Sequence, residues 1–378
     1  MQLILFRLFY FFLFFGVANV NGMLIPFLRY KGYDPIHIGT LISLYTVSGI
    51  LGQLSVGYLC DKLKTIKKIF IPVVMISIIS GMIAILFKRN VIFYLGFFIM
   101  GFFSGIVISL ADSWVIENDD TIKAKFGQLR AFGSIGWAFG VLAIGYALSK
   151  LGIYAMGIIF FVSMSIAFIA TIKSKDISKK CKGTINIKKL VTNKEYLFTI
   201  IIFLFISISF RSYYQIIPYA IELIGGNASN IGLYYFIGSM SEIMMLLLCS
   251  KIMHKLSPDK LLRIVPIAIL VQILVLYVAR NIIIIYISAL LQIFTYPILL
   301  MCGRIMIDRI SPSQLRTTSQ LIGFAIFNSF GVVVASFTMG ILIEKFNINN
   351  TMLIVMVWVI FCIVCSIFYD KKTKDKTL

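Results

Sequence analysis

Apolar runs long enough to cross a membrane recur along this chain so regularly that few other folds remain open to it. A spanning helix needs about 20 mostly apolar residues. Runs of that kind lie at 3–28, 36–60, 69–87, 91–116, 126–149, 151–173, 196–224, 229–250, 261–279, 281–306, 317–343 and 351–369. Of the 378 residues, 60% are hydrophobic and only 13% charged, too few charges to cover a soluble body of this length. The expected fold is an all-α membrane protein with twelve transmembrane helices.

The net charge of +20 invites a nucleic-acid reading, which its distribution opposes. The Lys and Arg residues punctuate the apolar runs and do not gather on a soluble module. If both termini are cytosolic, the inner segments and span ends hold 25 of them and the outer loops hold seven, namely Arg29, Lys31, Lys88, Arg89, Lys150, Arg280 and Lys345. That bias sets an N-in, C-in topology in the plasma (inner) membrane. The longest inner segment, 174–195, carries Lys179, Lys180, Lys182, Lys188 and Lys189 and divides six spans from six. It reads as a solvated linker that can meet anionic lipid. The expected organisation is a six-helix half at 1–173, the linker at 174–195 and a second six-helix half at 196–378.

The halves carry a repeat. Ile25-Pro26 precedes Gly39 by thirteen residues, and Ile217-Pro218 precedes Gly232 by fourteen, at an offset of about 193 residues, half the chain. Parallel repeats of this kind place a substrate site near the midplane where the repeats meet.

Ionisable residues inside apolar spans are costly and mark function by default. Asp112 lies nine residues before Thr121, the centre of a short charged loop, and Arg130 lies nine after it. If the flanking runs form a helical hairpin, acid and base share a depth. Trp137, seven residues beyond Arg130, falls on the same face two turns deeper. An acid, a guanidinium fork and an aromatic plate suit a polar ligand with an apolar face. A structural ion pair is the alternative. Glu242, about thirteen residues into its span, has Arg211 at comparable depth; that pair is either structural or a switch opened by substrate or proton. Tyr214 and Asn21 are further cavity candidates. Gly133, Gly136 and Gly140 read as sites of close helix approach. Cys362 and Cys365 read as ordinary buried thiols. There is no P-loop, no metal-ligand cluster and no nucleophile with a neighbouring His, so the sequence calls for neither cofactor nor enzymatic chemistry.

Gly57-Tyr-Leu-Cys-Asp61-Lys62-Leu-Lys64-Thr-Ile-Lys67-Lys68 resembles the signature loop of the major facilitator superfamily, with Lys64 where that family usually has Gly. The resemblance implies that Gly57 packs closely and that Asp61, Lys62 and Lys68 form a cytosolic latch, a gating loop. Within the superfamily the chain is similar to the lactose permease branch and its phenylpropionate and nucleoside permease relatives. Phe126-Gly-Gln-Leu-Arg130-Ala-Phe-Gly-Ser-Ile-Gly-Trp137 resembles that branch's fifth-helix motif, whose Arg and Trp contact substrate. Asp112 falls where lactose permease has a sugar-binding Glu, and Gly238-Ser-Met-Ser-Glu242 resembles the segment supplying a second essential Glu. In the tenth span, alignment on Pro297 puts Gln292 and Thr295 where the branch has its proton-coupling His and Glu. Neither side chain carries a proton.

The expectation is a secondary active transporter working by alternating access, taking up a small polar solute (a sugar or glycoside, a nucleoside or an aromatic acid) with a proton. The substrate-binding residues would be Asp112, Arg130, Trp137, Glu242, Arg211, Tyr214 and Asn21; the proton-coupling acids would be Glu242 and Asp112. Partners would be the solute, the proton and membrane lipid, with no nucleic acid and no metal. Efflux of an amphipathic compound, uniport, and a transport-inactive receptor are the alternatives.

Overall fold

The structure is a computed structural model; it describes residues 2–63, 65–88, 91–116, 118, 122, 125–174, 192–253, 257–311 and 316–374. Helices make up nearly all of these residues. In order come α1 (Gln2–Asn21), α2 (Leu24–Tyr30), α3 (Pro35–Leu63), α4 (Lys67–Leu86), α5 (Val91–Ile116), α6 (Phe126–Lys150) and α7 (Ile153–Lys173). There follow α8 (Lys194–Leu223), α9 (Ala228–Met253), α10 (Pro258–Val278), α11 (Ile282–Leu290), α12 (Tyr296–Ile310), α13 (Arg316–Phe324) and α14 (Gly331–Lys374). Among the described residues ten stretches are long and apolar enough to span a membrane. The longest, Ile322–Tyr369, is broken at Asn347 (φ 58°, ψ 173°) into two such lengths. With that division, and with the 26-residue α9, the all-α, twelve-crossing architecture expected from the sequence is complete.

Three runs depart from the expected spans. The first does not continue to residue 28. The N–H groups of Gly22 and Met23 both donate to the Ala18 carbonyl (2.9 and 3.2 Å), ending α1, and α2 restarts at Leu24. Gly22 fits this bend because a Cβ there would collide with Val141 and lie 3.2 Å from the Trp137 ring. The tenth run is interrupted by a 3-10 turn over Leu291–Phe294, and Thr295 has φ −111°, ψ −100° before α12 resumes. Pro297 near the start of α12 explains the break: it lacks an N–H and disfavours helical geometry just before itself. The eleventh run passes through a π-helical turn, Ala325–Phe330, between α13 and α14.

The chain forms two compact units. The first comprises Met1–Tyr33, Leu41–Lys182 and Asn227–Phe236; the second comprises Asp34–Thr40, Gly183–Gly226 and Ile237–Leu378. In the first, α1 packs along α6 and α7, and α4 along α5 and α7. Glycines admit the α1–α6 approach: a Cβ on Gly136 would strike the Phe11 carbonyl, and one on Gly133 would meet the Phe14 ring at 2.8 Å. Trp114, fully buried, stands edge-on to Phe6 (centroids 5.9 Å) and near Phe9 and Phe70. In the second unit, α8 and α10 both pack on α14. The two glycines of the sequence repeat play matching roles there and in the first unit. Gly39 abuts Gly340 and the Ser336 carbonyl, while Gly232 abuts Gly145 and the Val141 carbonyl. At each, an added Cβ would press into the facing backbone.

Two lysines cap helix ends. The Lys31 ammonium donates to the carbonyl of Ala84 (2.6 Å) and to that of Phe87, at the C-terminus of α4, with the Phe27 and Phe93 rings about it. Lys67 does the same for α7, donating to Ile172 and Ser174, each at 2.6 Å. Of the expected latch, Lys62 and Lys68 are exposed. The surroundings of Gly57, the side chain of Asp61, the whole of Lys64, and most of the 174–195 linker lie outside what is described.

Candidate functional site

Asp112 sits two residues before Trp114 on α5, so the buried tryptophan fixes which way α5 turns and where the carboxylate points. The Tyr10 hydroxyl, carried in by α1, donates to Asp112 Oδ1 at 2.9 Å. Arg130 on α6 brings Nε to 3.7 Å from the same oxygen. The guanidinium lies over the Phe14 ring, 4.2 Å from its centroid, and Phe14 is stacked parallel to Tyr10 at 6.1 Å. The cluster is only partly covered: Tyr10 is fully buried, whereas the Arg130 and Asp112 side chains are 36% and 28% exposed. Acid and base thus meet at one depth, as the hairpin register predicted.

Trp137 lies two turns beyond Arg130 on α6, about 10 Å further along at 1.5 Å per residue. Its ring is half-buried against Gly22, where α1 bends, next to the exposed Asn21. The ring lying over the Arg130 guanidinium is Phe14. Asn19, buried, is occupied in donating to the Met156 carbonyl at 3.2 Å.

The second unit holds a different arrangement. Arg211 leaves α8 between aromatic neighbours, its guanidinium 5.5 Å from the Phe210 centroid and 5.6 Å from that of Tyr296. Arg211 Nη2 donates to Asn328 Oδ1 at 2.6 Å, and Asn328 belongs to the π turn. Such turns recur at functional sites because the widened turn re-aims a side chain. Glu242 on α9 is half-buried and feels the Arg211 charge without salt-bridge contact among the described residues. One turn earlier on α9, Gly238 makes room for Gln292; a Cβ there would overlap the Gln292 amide. Gln292 is 2% exposed in the 3-10 turn, and the Thr295 hydroxyl closes that turn by donating to the Gln292 carbonyl at 3.1 Å. Tyr214 is half-buried, 6.0 Å from Phe210. Gln215 is tied to the Ser336 hydroxyl at 2.7 Å.

Several residues went unread in the sequence. Tyr10 is one aromatic in the run Leu8-Phe9-Tyr10-Phe11-Phe12, with nothing to single it out. Asn328 carried a signal, an amide in the middle of a largely apolar run. Tyr296-Pro297 carried another, since a proline inside a span announces a break. The Arg304 guanidinium lies 5.3 Å from the centroid of the Phe324 ring. Cys362 receives a hydrogen bond from the Ser209 hydroxyl at 3.3 Å, as a buried packing residue does.

Comparison with known proteins agrees with this architecture. Residues 3–354 match the model of the MFS_1 like family. The chain is 24% identical over 377 residues to the uncharacterized transporter YwbF of Bacillus subtilis (strain 168), covering 97% of this chain and 93% of that one. Among solved structures it resembles the nucleoside transporter NupG, with a TM-score of 0.79 and 14% identity, each chain covered over 99%. It also resembles a POT family transporter in complex with 5-aminolevulinic acid, with a TM-score of 0.79 and 12% identity over 98% of this chain and 96% of that one. At those identities the two structures speak to fold alone.

Proposed function

This chain belongs to the MFS_1 like family and is a membrane transporter of the major facilitator type, and from that premise we propose that it is a secondary active transporter taking up a small polar solute with a proton. The solute is a sugar or glycoside, a nucleoside or an aromatic acid, moved by alternating access across the plasma membrane with both termini cytosolic. Its halves are 1–173 and 196–378, joined by the basic linker at 174–195, with Gly57, Asp61, Lys62 and Lys68 as the gating loop.

The observation that carries the reading is the Tyr10–Asp112–Arg130 cluster. Within a helical bundle it gathers a hydroxyl, a carboxylate and a guanidinium over an aromatic ring and leaves acid and base partly uncovered. A partly solvated ion pair contributes little to stability, so holding the fold together does not by itself account for this one. Trp137 and Asn21 extend the polar and aromatic lining at the bend after α1. Of the two acids, Glu242 is assigned the coupling proton. Asp112 is already engaged by a hydroxyl and a cation, whereas Glu242 has its cation only at a distance.

The test is transport by the full chain in liposomes, with labelled lactose, uridine and 3-phenylpropionate as probes. An imposed pH difference should drive accumulation of at least one probe. Exchange without accumulation would make the protein a uniporter. Binding without movement of any probe would make it a receptor.

A further inference from the structure

Arg211 has hydrogen-bonding capacity that its surroundings do not use. One nitrogen donates to Asn328 Oδ1, a neutral amide oxygen, at 2.6 Å. Among the described residues, Nε is buried without a hydrogen-bond partner. The faces of the guanidinium meet the Phe210 and Tyr296 rings, and among the described residues no acid makes a salt bridge with it. A second spare donor lies in the 3-10 turn: Gln292 is 2% exposed, and its Nε2 also has no partner among the described residues. The two are linked through the structure. Gln292 packs on Gly238, one turn before Glu242 on α9, and Glu242 is the acid that feels Arg211. Tyr296, four residues after Gln292, carries the ring beside the guanidinium.

Buried donors are nearly always satisfied, so two left unmet in one cluster need an explanation. A guanidinium Nε and a primary amide together match the two oxygens of a carboxylate, and its charge is what Arg211 lacks. Neutral hydroxyl oxygens would meet the hydrogen bonds and leave the cation without a counter-charge.

We infer that Arg211, with Gln292, receives a carboxylate of the substrate, so that the transported solute is an organic acid, aromatic or sugar-derived. The inference rests on the transport reading above, in which Glu242 carries a proton while substrate is bound. The substrate's anion then takes over as partner of Arg211, whose charge acts on Glu242, and the cluster's net charge is unchanged.

The test is binding to the purified full chain, followed by tryptophan fluorescence. Probes come in pairs: 3-phenylpropionate with 3-phenylpropionamide, and glucuronate with glucose. An acid should bind where its neutral counterpart does not. Arg211→Gln should weaken acid binding about 30-fold or more, as loss of a desolvated charged partner does. Arg211→Lys keeps the charge without the fork and should lose less, and Gln292→Leu less again. Ligand-free melting temperatures report whether each variant is folded; if Arg211→Gln is not, Arg211→Lys and Gln292→Leu carry the test. Neutral probes binding as tightly as the acids, no acid binding, or folded variants with unchanged acid affinity would each overturn the inference. Liposomes separate it from the transport reading. An acid that binds through Arg211 but never accumulates removes transport and keeps the subsite, and accumulation of a neutral solute does the reverse.

Discussion

Asp112 and Arg130 touch; Glu242 and Arg211, an acid and a base on spanning helices of the second unit, do not, among the described residues. In the first unit one carboxylate oxygen already receives a tyrosine hydroxyl and lies 3.7 Å from a guanidinium nitrogen, so acid and base form a preassembled polar surface. In the second unit the arginine is held by an amide and two rings, with a donor left over. A paired charge positions and a spare charge responds. In the function proposed above, the same two residue types serve recognition in one unit and coupling in the other, according to how closely they approach.

The sharpest way to break that division is Glu242→Gln, which mimics the protonated acid. It should retain binding and exchange yet lose pH-driven accumulation altogether, measured in liposomes loaded with labelled substrate. If Glu242→Gln still accumulates substrate when only a pH difference is imposed, coupling lies elsewhere and the contrast between the units fails.

Next in size is Arg130→Ala, which removes the cation from the preassembled pair. Substrate affinity should fall about 100-fold or more, as when one partner of a charged pair is truncated. Membrane insertion and yield should stay at parental levels, because the pair is partly solvated. Loss of the protein itself would mean that the first cluster is structural, like any other ion pair.

Trp137→Ala should cost about 1–3 kcal/mol of binding, the range for stacking on an aromatic side chain, and Trp137→Tyr much less. Substrate should also quench Trp137 in a protein lacking Trp114 and Trp358. No fluorescence change at saturation would confine the ligand to the Arg130 end of α6 and sharpen the map of the first cluster.

The smallest effect is expected of Tyr10→Phe. It deletes one hydrogen bond to a carboxylate that keeps its arginine, so stability should fall by about 1 kcal/mol, read as a lower melting temperature in detergent. A much larger loss would make Tyr10, and not Arg130, the group that holds Asp112 in place.

How much of this was legible in the sequence depended on the distance between partners. Asp112 and Arg130 flank one short loop, so counting residues from Thr121 was enough to set them side by side. The twelve runs were equally legible, since hydropathy is a property of a local window. Tyr10 was not, because its partner is 102 residues away and its own neighbours are all aromatic or apolar. Arg211 was matched by depth with Glu242, yet its hydrogen bond goes to Asn328, 117 residues on, in a turn whose π geometry no apolar periodicity announces.

By itself the sequence determined that this chain crosses a membrane twelve times and that four charged side chains, Asp112, Arg130, Arg211 and Glu242, need a reason to be inside. Burying charge in an apolar medium is too unfavourable to be accidental, and that holds wherever the chain goes next. Only the tertiary structure decided how closely each acid and base approach, and that Arg211 turns to Asn328. A few ångströms of helix approach, set at Gly133, Gly136 and Gly238 by the missing Cβ, brought Arg130 against Asp112 and seated Gln292 beside the Glu242 helix. Helix approach depends on contacts between distant segments, which no local window contains.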